Sequence, residues 1–221
     1  MSGLSADERR VFDHLIAAIA QRRLAPDVHL VEADLAQTFA LSRGQIRKVL
    51  LALEQAQVVQ HTPNRGAKIT RLSAEQLRGV LDARALIEPE VTARAASLPR
   101  AARVQAVSRL TQHLEQEHRA ATEGKPGEAL QLSGRFHVIV CEVTDNPVLA
   151  EIVDRLVLLS SLGLATHAPA VVSEHCGPHE HEMIVQAIES GDAGQARALT
   201  ADHLSKIGAV AQLGSSLPEL S

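Results

Sequence analysis

Over the first seventy residues, apolar positions recur at helical spacing and then give way to short extended runs. Val11, Leu15, Ala18 and Ile19 share one face of a helix expected from Ser5 to about Arg23. Ser5 and Glu8 have the spacing of a capping box. Leu24-Ala25-Pro26-Asp27 interrupts that helix. A second short helix is expected over residues 30–40, with Leu35, Ala36 and Phe39 inward. A third begins at Ser42, where Gln45 completes another capping box. Its inward positions are Ile46, Val49, Leu50 and Leu53. Arg43, Gly44, Gln45, Arg47 and Lys48 are left on the outer face or in the first turn. Val58–His61 and Ala67–Thr70 then read as strands around Thr62-Pro63-Asn64-Arg65-Gly66, a turn with a cation at its tip. Two short helices joined by a tight turn, followed by a basic hairpin, form the pattern of a winged helix-turn-helix.

From Ser73 onward the pattern is helical throughout, with Ser73 and Gln76 spaced as a third capping box. Six segments are expected, near 73–97, 100–122, 127–144, 147–165, 178–190 and 192–212. Pro99, Gly124-Lys125-Pro126-Gly127, Asn146-Pro147, Ala168-Pro169 and Gly191 separate them. The fold class is therefore mainly α: a winged helix-turn-helix followed by a six-helix bundle. Some polar residues occupy stripes that should be apolar. Arg84 lies among Leu77, Val80, Leu81, Ile87, Glu88 and Val91. A buried arginine is costly unless paired, so it requires an internal carboxylate or an anionic ligand. His137, His181 and His203 each lie on the inward stripe of a different helix. They are either three satisfied core histidines or the ligands of a divalent metal, with zinc, nickel, copper and iron all admissible.

Composition and charge narrow the picture. The chain has 221 residues, 45% hydrophobic and 22% charged, which suits one large domain or two modest ones. No apolar run reaches the roughly 18 residues that a membrane span requires. The N-terminus lacks the pattern of a signal peptide. Two cysteines make no disulfide framework. A soluble cytoplasmic protein without a membrane partner is expected. With three Phe and no Tyr or Trp, the chain has almost no platform for stacking single-stranded bases. Residues 1–72 carry a net charge of +3 and residues 73–221 a net charge of −7. That asymmetry suggests two domains with different partners. The expected division is a DNA-binding domain over 1–70, a linker at 71–72, a helical domain over 73–213 and a flexible tail over 214–221.

The run Leu24-Ala25-Pro26…Leu30-Val31-Glu32…Leu35-Ala36…Phe39…Leu41-Ser42-Arg43…Ile46-Arg47…Leu50…Leu53-Glu54…Val58…Asn64-Arg65-Gly66-Ala67 resembles the DNA-binding domain of GntR-family bacterial transcription regulators. Asp27 departs from the pattern, which usually has Gly after the Pro. The resemblance implies a double-stranded DNA operator as partner. It assigns Arg43 and Arg47 to base edges and phosphates, Gln45 to base readout and Ser42 to phosphate. Asn64, Arg65 and Gly66 would form the wing, with Asn64 and Arg65 entering the minor groove.

Farther along, several further motifs resemble the FCD effector domain of the FadR branch. They are Arg84 with Glu88, Phe136-His137, Asn146-Pro147-Val148-Leu149, Glu180-His181 and Asp202-His203-Leu204. The six-helix count is similar to that of the VanR-type subgroup. This resemblance implies a homodimer and a pocket for a small organic acid, with Arg84 and Ser133 contacting the effector. It also implies a metal, zinc or nickel foremost, held by one Asp and three His. His137, His181 and His203 match the histidines, but Ser133 stands where the family has its Asp. Losing that carboxylate implies a more positive centre, weaker metal affinity and a larger part for an anionic effector; the opposite reading is a vestigial site with a neutral ligand among the three histidines. Cys141, one turn beyond His137, is read as a packing thiol rather than a substitute ligand. His167, His175 and His179 are read as surface residues. The expected function is a ligand-responsive regulator, most simply a repressor released by its effector on a palindromic operator. Two rivals are a metal sensor without an organic effector and a three-His metalloenzyme.

Overall fold

A computed structural model describes residues 3–21, 23–62, 66–167 and 178–215. The chain divides into two compact units, Met1–Leu72 and Ser73–Ser221. Among the described residues, no helix is long and apolar enough to cross a membrane.

The first unit contains α1 (Ala6–Ala20), β1 (His29–Leu30), α2 (Glu32–Phe39), α3 (Arg43–Gln55), β2 (Val59–Thr62) and β3 (Gly66–Ile69). The capping boxes form at both expected helix starts. Ser5 Oγ accepts from Glu8 N–H, Ser42 Oγ accepts from Gln45 N–H, and each N3 side chain accepts from its cap backbone. Val11, Leu15, Ala18, Ile46, Val49 and Leu53 are buried, so the amphipathic faces of α1 and α3 supply the core.

The sequence placed Leu30 at the start of a helix, but it instead pairs with Ala67 in a three-strand antiparallel sheet ordered β1-β3-β2. β1 is two residues long, too short for the period-2 alternation that would reveal it. Gly66, at φ +87°, begins β3, and a Cβ there would stand 2.1 Å from the Leu30 carbonyl oxygen. Only glycine permits that approach. Asp27 also has positive φ, at 70°. Asp tolerates this region better than most residues, and its carboxylate bridges Lys68 at 2.7 Å and Arg71 at 2.6 Å. Asp27 thus holds a backbone conformation that suits glycine and makes two exposed ion pairs.

The second unit is helical throughout its described residues. It contains α4 (Ala74–Ala96), α5 (Arg100–Thr122), α6 (Pro126–Glu142), α7 (Pro147–His167), α8 (Pro178–Ser190) and α9 (Ala193–Ser215). These are the six expected segments, to within a few residues at each end. α4 opens with the expected box, Ser73 Oγ accepting from Gln76 N–H. It packs on α9, α7, α6 and α8. Gly163 lets α7 close on α4, since a Cβ there would lie 2.6 Å from Leu77.

Two apolar clusters form the interior. The larger includes Val91, Ala95, Leu110, Phe136, Val153, Val157, Ile184, Ile188 and Ala196. The smaller includes Leu77, Leu81, Leu164, Leu204 and Ile207. Three helices run from one cluster to the other, and each carries buried polar residues between them in sequence. These are Arg84 and Glu88 on α4, Ser160 on α7, and Thr200 and His203 on α9.

Candidate metal centre and nucleic-acid interface

His137 from α6, His181 from α8 and His203 from α9 meet in the interior. One ring nitrogen from each lies within 4.8 Å of the others. His203 Nε2 is 3.3 Å from His137 Nε2 and 3.4 Å from His181 Nε2. Tetrahedral nitrogen ligands at about 2.05 Å from zinc stand about 3.3 Å apart, so two of the three separations already suit a metal.

The outer nitrogens are all occupied. His137 Nδ1 is 2.8 Å from Glu88 Oε2. His181 Nδ1 is 3.0 Å from Glu117 Oε2, and His203 Nδ1 is 2.6 Å from Glu180 Oε2. A carboxylate offers only lone pairs, so in each pair the imidazole N–H donates. Each Nε2 then carries a bare lone pair, and the three face one another. Mutual repulsion makes this arrangement unfavourable until a cation shares the lone pairs. Carboxylate–histidine pairs of this kind fix the tautomer of metal-ligating imidazoles.

Burial pushes His137 down to about 3, against the opposing pull of Glu88. It also lowers His203. Both rings are therefore neutral near pH 7, the form that binds metal. Burial alone would raise Glu88, but the Arg84 charge together with His137 outweighs it and holds the carboxyl at about 2. Glu180 is held at about 2 chiefly by its hydrogen bond from His203.

Of the two partners the sequence left open for Arg84, the structure supplies the internal carboxylate. Arg84 Nε donates to Glu88 Oε1 at 2.6 Å, and Nη1 donates to Ser160 Oγ at 2.9 Å. Ser133 is buried one turn before His137 on α6. Cys141 is buried too, its thiol pushed up to about 12 by burial, and lies outside the metal-ligand group. His179 is exposed and His167 half-buried, while His175 lies outside the described residues.

Sequence reasoning missed Glu117 and the roles of Glu180, Ser160 and Phe136. Phe136 stacks on the His181 ring at 4.0 Å between centroids. Glu117 was findable by the signal that exposed Arg84. It sits on the α5 stripe of Ala106, Leu110, His113, Leu114 and Ala120. His113 on that stripe is an ordinary core histidine, 2.8 Å from the Leu132 carbonyl.

In the first unit Arg43, Arg47 and Lys48 are exposed. Arg43 lies in the first turn of α3, and Arg47 one turn on is clamped by Glu32, with Nε to Oε1 at 3.1 Å and Nη2 to Oε2 at 2.9 Å. A cleft of about 490 Å³ brings Glu32, Arg43 and Arg47 together with His61 and Gly66 of the hairpin. The Gln45 carboxamide oxygen is taken up by the cap of α3, accepting from Ser42 N–H and Oγ–H. Asn64 and Arg65 lie outside the described residues.

A three-strand sheet against a helix-turn-helix, followed in the chain by an α-helical unit with an interior cluster of imidazoles, is the two-domain build of a DNA-binding regulator. Family comparison agrees. Residues 8–69 match the gntR family of bacterial regulatory proteins, and residues 79–206 match the FCD domain. The chain belongs to the GntR family of transcription regulators, in the branch that carries an FCD domain. The HTH-type transcriptional repressor RspR of Escherichia coli K12 is 23% identical over 83% of this chain and 79% of its own length. The structure of E. coli McbR/YncC matches with a TM-score of 0.79 at 19% identity, over 96% of this chain and all of that one. A GntR transcriptional regulator from Rhodococcus sp. RHA1 matches with a TM-score of 0.76 at 19% identity, over 97% of this chain and all of that one. These relatives are transcription regulators rather than enzymes.

Proposed function

We propose that this regulator binds a palindromic operator as a homodimer and carries a divalent transition metal on His137, His181 and His203. It releases DNA when a small organic acid enters the helical domain. The observation that carries the metal is the convergence of three bare Nε2 lone pairs, each fixed by a carboxylate on the far side of its ring. Zinc or nickel suits an all-imidazole set. With Ser133 in place of a carboxylate ligand, the metal keeps an open position for the effector's carboxylate. Arg84, tied to His137 through Glu88, supplies buried positive charge nearby.

On the DNA side, Arg43 and Arg47 contact bases and phosphates, Ser42 contacts phosphate, and Gln45 swings from the cap to read a base. The wing, Asn64-Arg65-Gly66, follows the adjacent minor groove. Effector shifts the balance toward the DNA-incompetent state by its differential affinity for the two states. The repressor name of the E. coli relative supports negative control.

Selection of duplexes from a random DNA pool by the full chain tests the reading. The expected product is a pair of inverted half-sites about one helical turn apart. Binding should weaken when zinc-loaded protein meets short carboxylic acids. Release by a chelator alone, with no acid having any effect, would instead make the metal itself the signal. Failure to enrich any sequence would overturn the proposal.

A further inference from the structure

The three carboxylates behind the imidazoles are not equivalent. Glu88 is paired with Arg84 at 2.6 Å. Glu180 is paired with Lys206 at 2.5 Å. Glu117 is the most deeply buried of the three, 1% exposed, and His181 is its one ion-pair partner among the described residues. Its second oxygen, Oε1, is buried with no hydrogen-bond partner among the described residues. A carboxylate in such a place should be matched by a cation, because an uncompensated buried charge is strongly unfavourable.

We infer that Glu117 is matched to the metal: a positioning residue whose negative charge, delivered through His181, replaces the anionic ligand that Ser133 does not provide. The inference rests on the metal reading above. Glu88 and Glu180 have permanent cations beside them, whereas Glu117 among the described residues faces only His181, which is cationic only when protonated or metal-bound. Its hydrogen bond fixes the His181 tautomer, and its charge makes the imidazole a stronger donor. The stack of Phe136 on His181 and the burial of that ring keep water from screening the pair.

The test uses the full-length chain stripped of metal. Zinc is titrated in competition with a chromophoric chelator, and cobalt substitution reads the coordination geometry through its visible absorption. Glu117→Gln keeps a hydrogen-bond acceptor but removes the charge. It should lose zinc affinity by roughly 10–100-fold and shift the cobalt spectrum. Glu117→Asp, which keeps the charge, should retain more affinity than Glu117→Gln. Glu115→Gln, at an exposed position on the same helix, should match wild type. Metal-free Glu117→Gln should melt no lower than metal-free wild type, since no matching cation has been taken from it.

Zinc binding by Glu117→Gln within about twofold of wild type would overturn the inference and leave the metal reading intact. So would a metal-free Glu117→Gln that melts well below wild type, because the carboxylate would then be holding the fold rather than awaiting a counter-ion. Wild-type protein that takes up neither zinc nor cobalt would overturn the metal reading, and this inference with it.

Discussion

The helix-turn-helix and the helical core both carry arginine–glutamate pairs, under opposite physical conditions. Arg47 and Glu32 form a bidentate pair with the arginine side chain 67% exposed. Arg84 and Glu88 form theirs at 4% and 3% exposure. In water, holding two long side chains in one geometry returns little, typically 0–1 kcal/mol. Arg47 can therefore exchange Glu32 for a phosphate or a guanine at small cost. In the interior, breaking the pair leaves an unmatched charge, and Arg84 is committed to its partner. The exposed pair is suited to exchange partners, whereas the buried pair fixes Glu88 and, through it, the His137 ring.

The sharpest way to break this comparison is Arg84→Met. Removing the guanidinium strands Glu88 and should cost about 3–5 kcal/mol of stability, read by denaturant unfolding. A loss under about 1 kcal/mol would mean that the interior pair is as dispensable as a surface one. Arg47→Ala should do the reverse. Its melting temperature should stay at the wild-type value, while operator affinity falls by roughly 1–3 kcal/mol, as measured by titration of labelled duplex.

A smaller effect comes from pH. Burial holds His137 down to about 3 in the folded state and also lowers His203, whereas unfolded histidines titrate near 6.5. The unfolded chain therefore binds protons first as pH falls. Stability should be fully present above pH 6.5 and decline from there toward pH 3. Between pH 7.5 and pH 5 the metal-free protein should lose on the order of 1–2 kcal/mol, seen as a lower melting temperature. A flat profile across that interval would show that the imidazoles are not held neutral by the fold.

What was legible in the sequence divides along the same line. Local rules sufficed for the first unit, because its signals lie within a few residues of one another. Ser42 with Gln45 marked the start of α3, and the hairpin announced itself by Asn64-Arg65-Gly66. The lapses were β1, whose two residues owe their conformation to pairing with β3 rather than to their own pattern, and α2, whose expected inward residues Leu35, Ala36 and Phe39 are only half-buried. In the second unit the histidines were readable from their stripes, and helix boundaries followed from Pro and Gly. The carboxylate behind each histidine was not, because that pairing spans long sequence distances. Glu117 and His181 are 64 positions apart, and only the packing of α5 against α8 joins them. Arg84 illustrates the limit: its stripe showed that it needed an anion, and the fold determined that the anion is Glu88.

Metal content per chain tests the central claim most directly, by elemental analysis of protein purified without a metal-binding tag. The account predicts one equivalent of a transition metal, lost in both His137→Ala and His203→Ala. Wild-type protein that remains metal-free after incubation with zinc or nickel would contradict it.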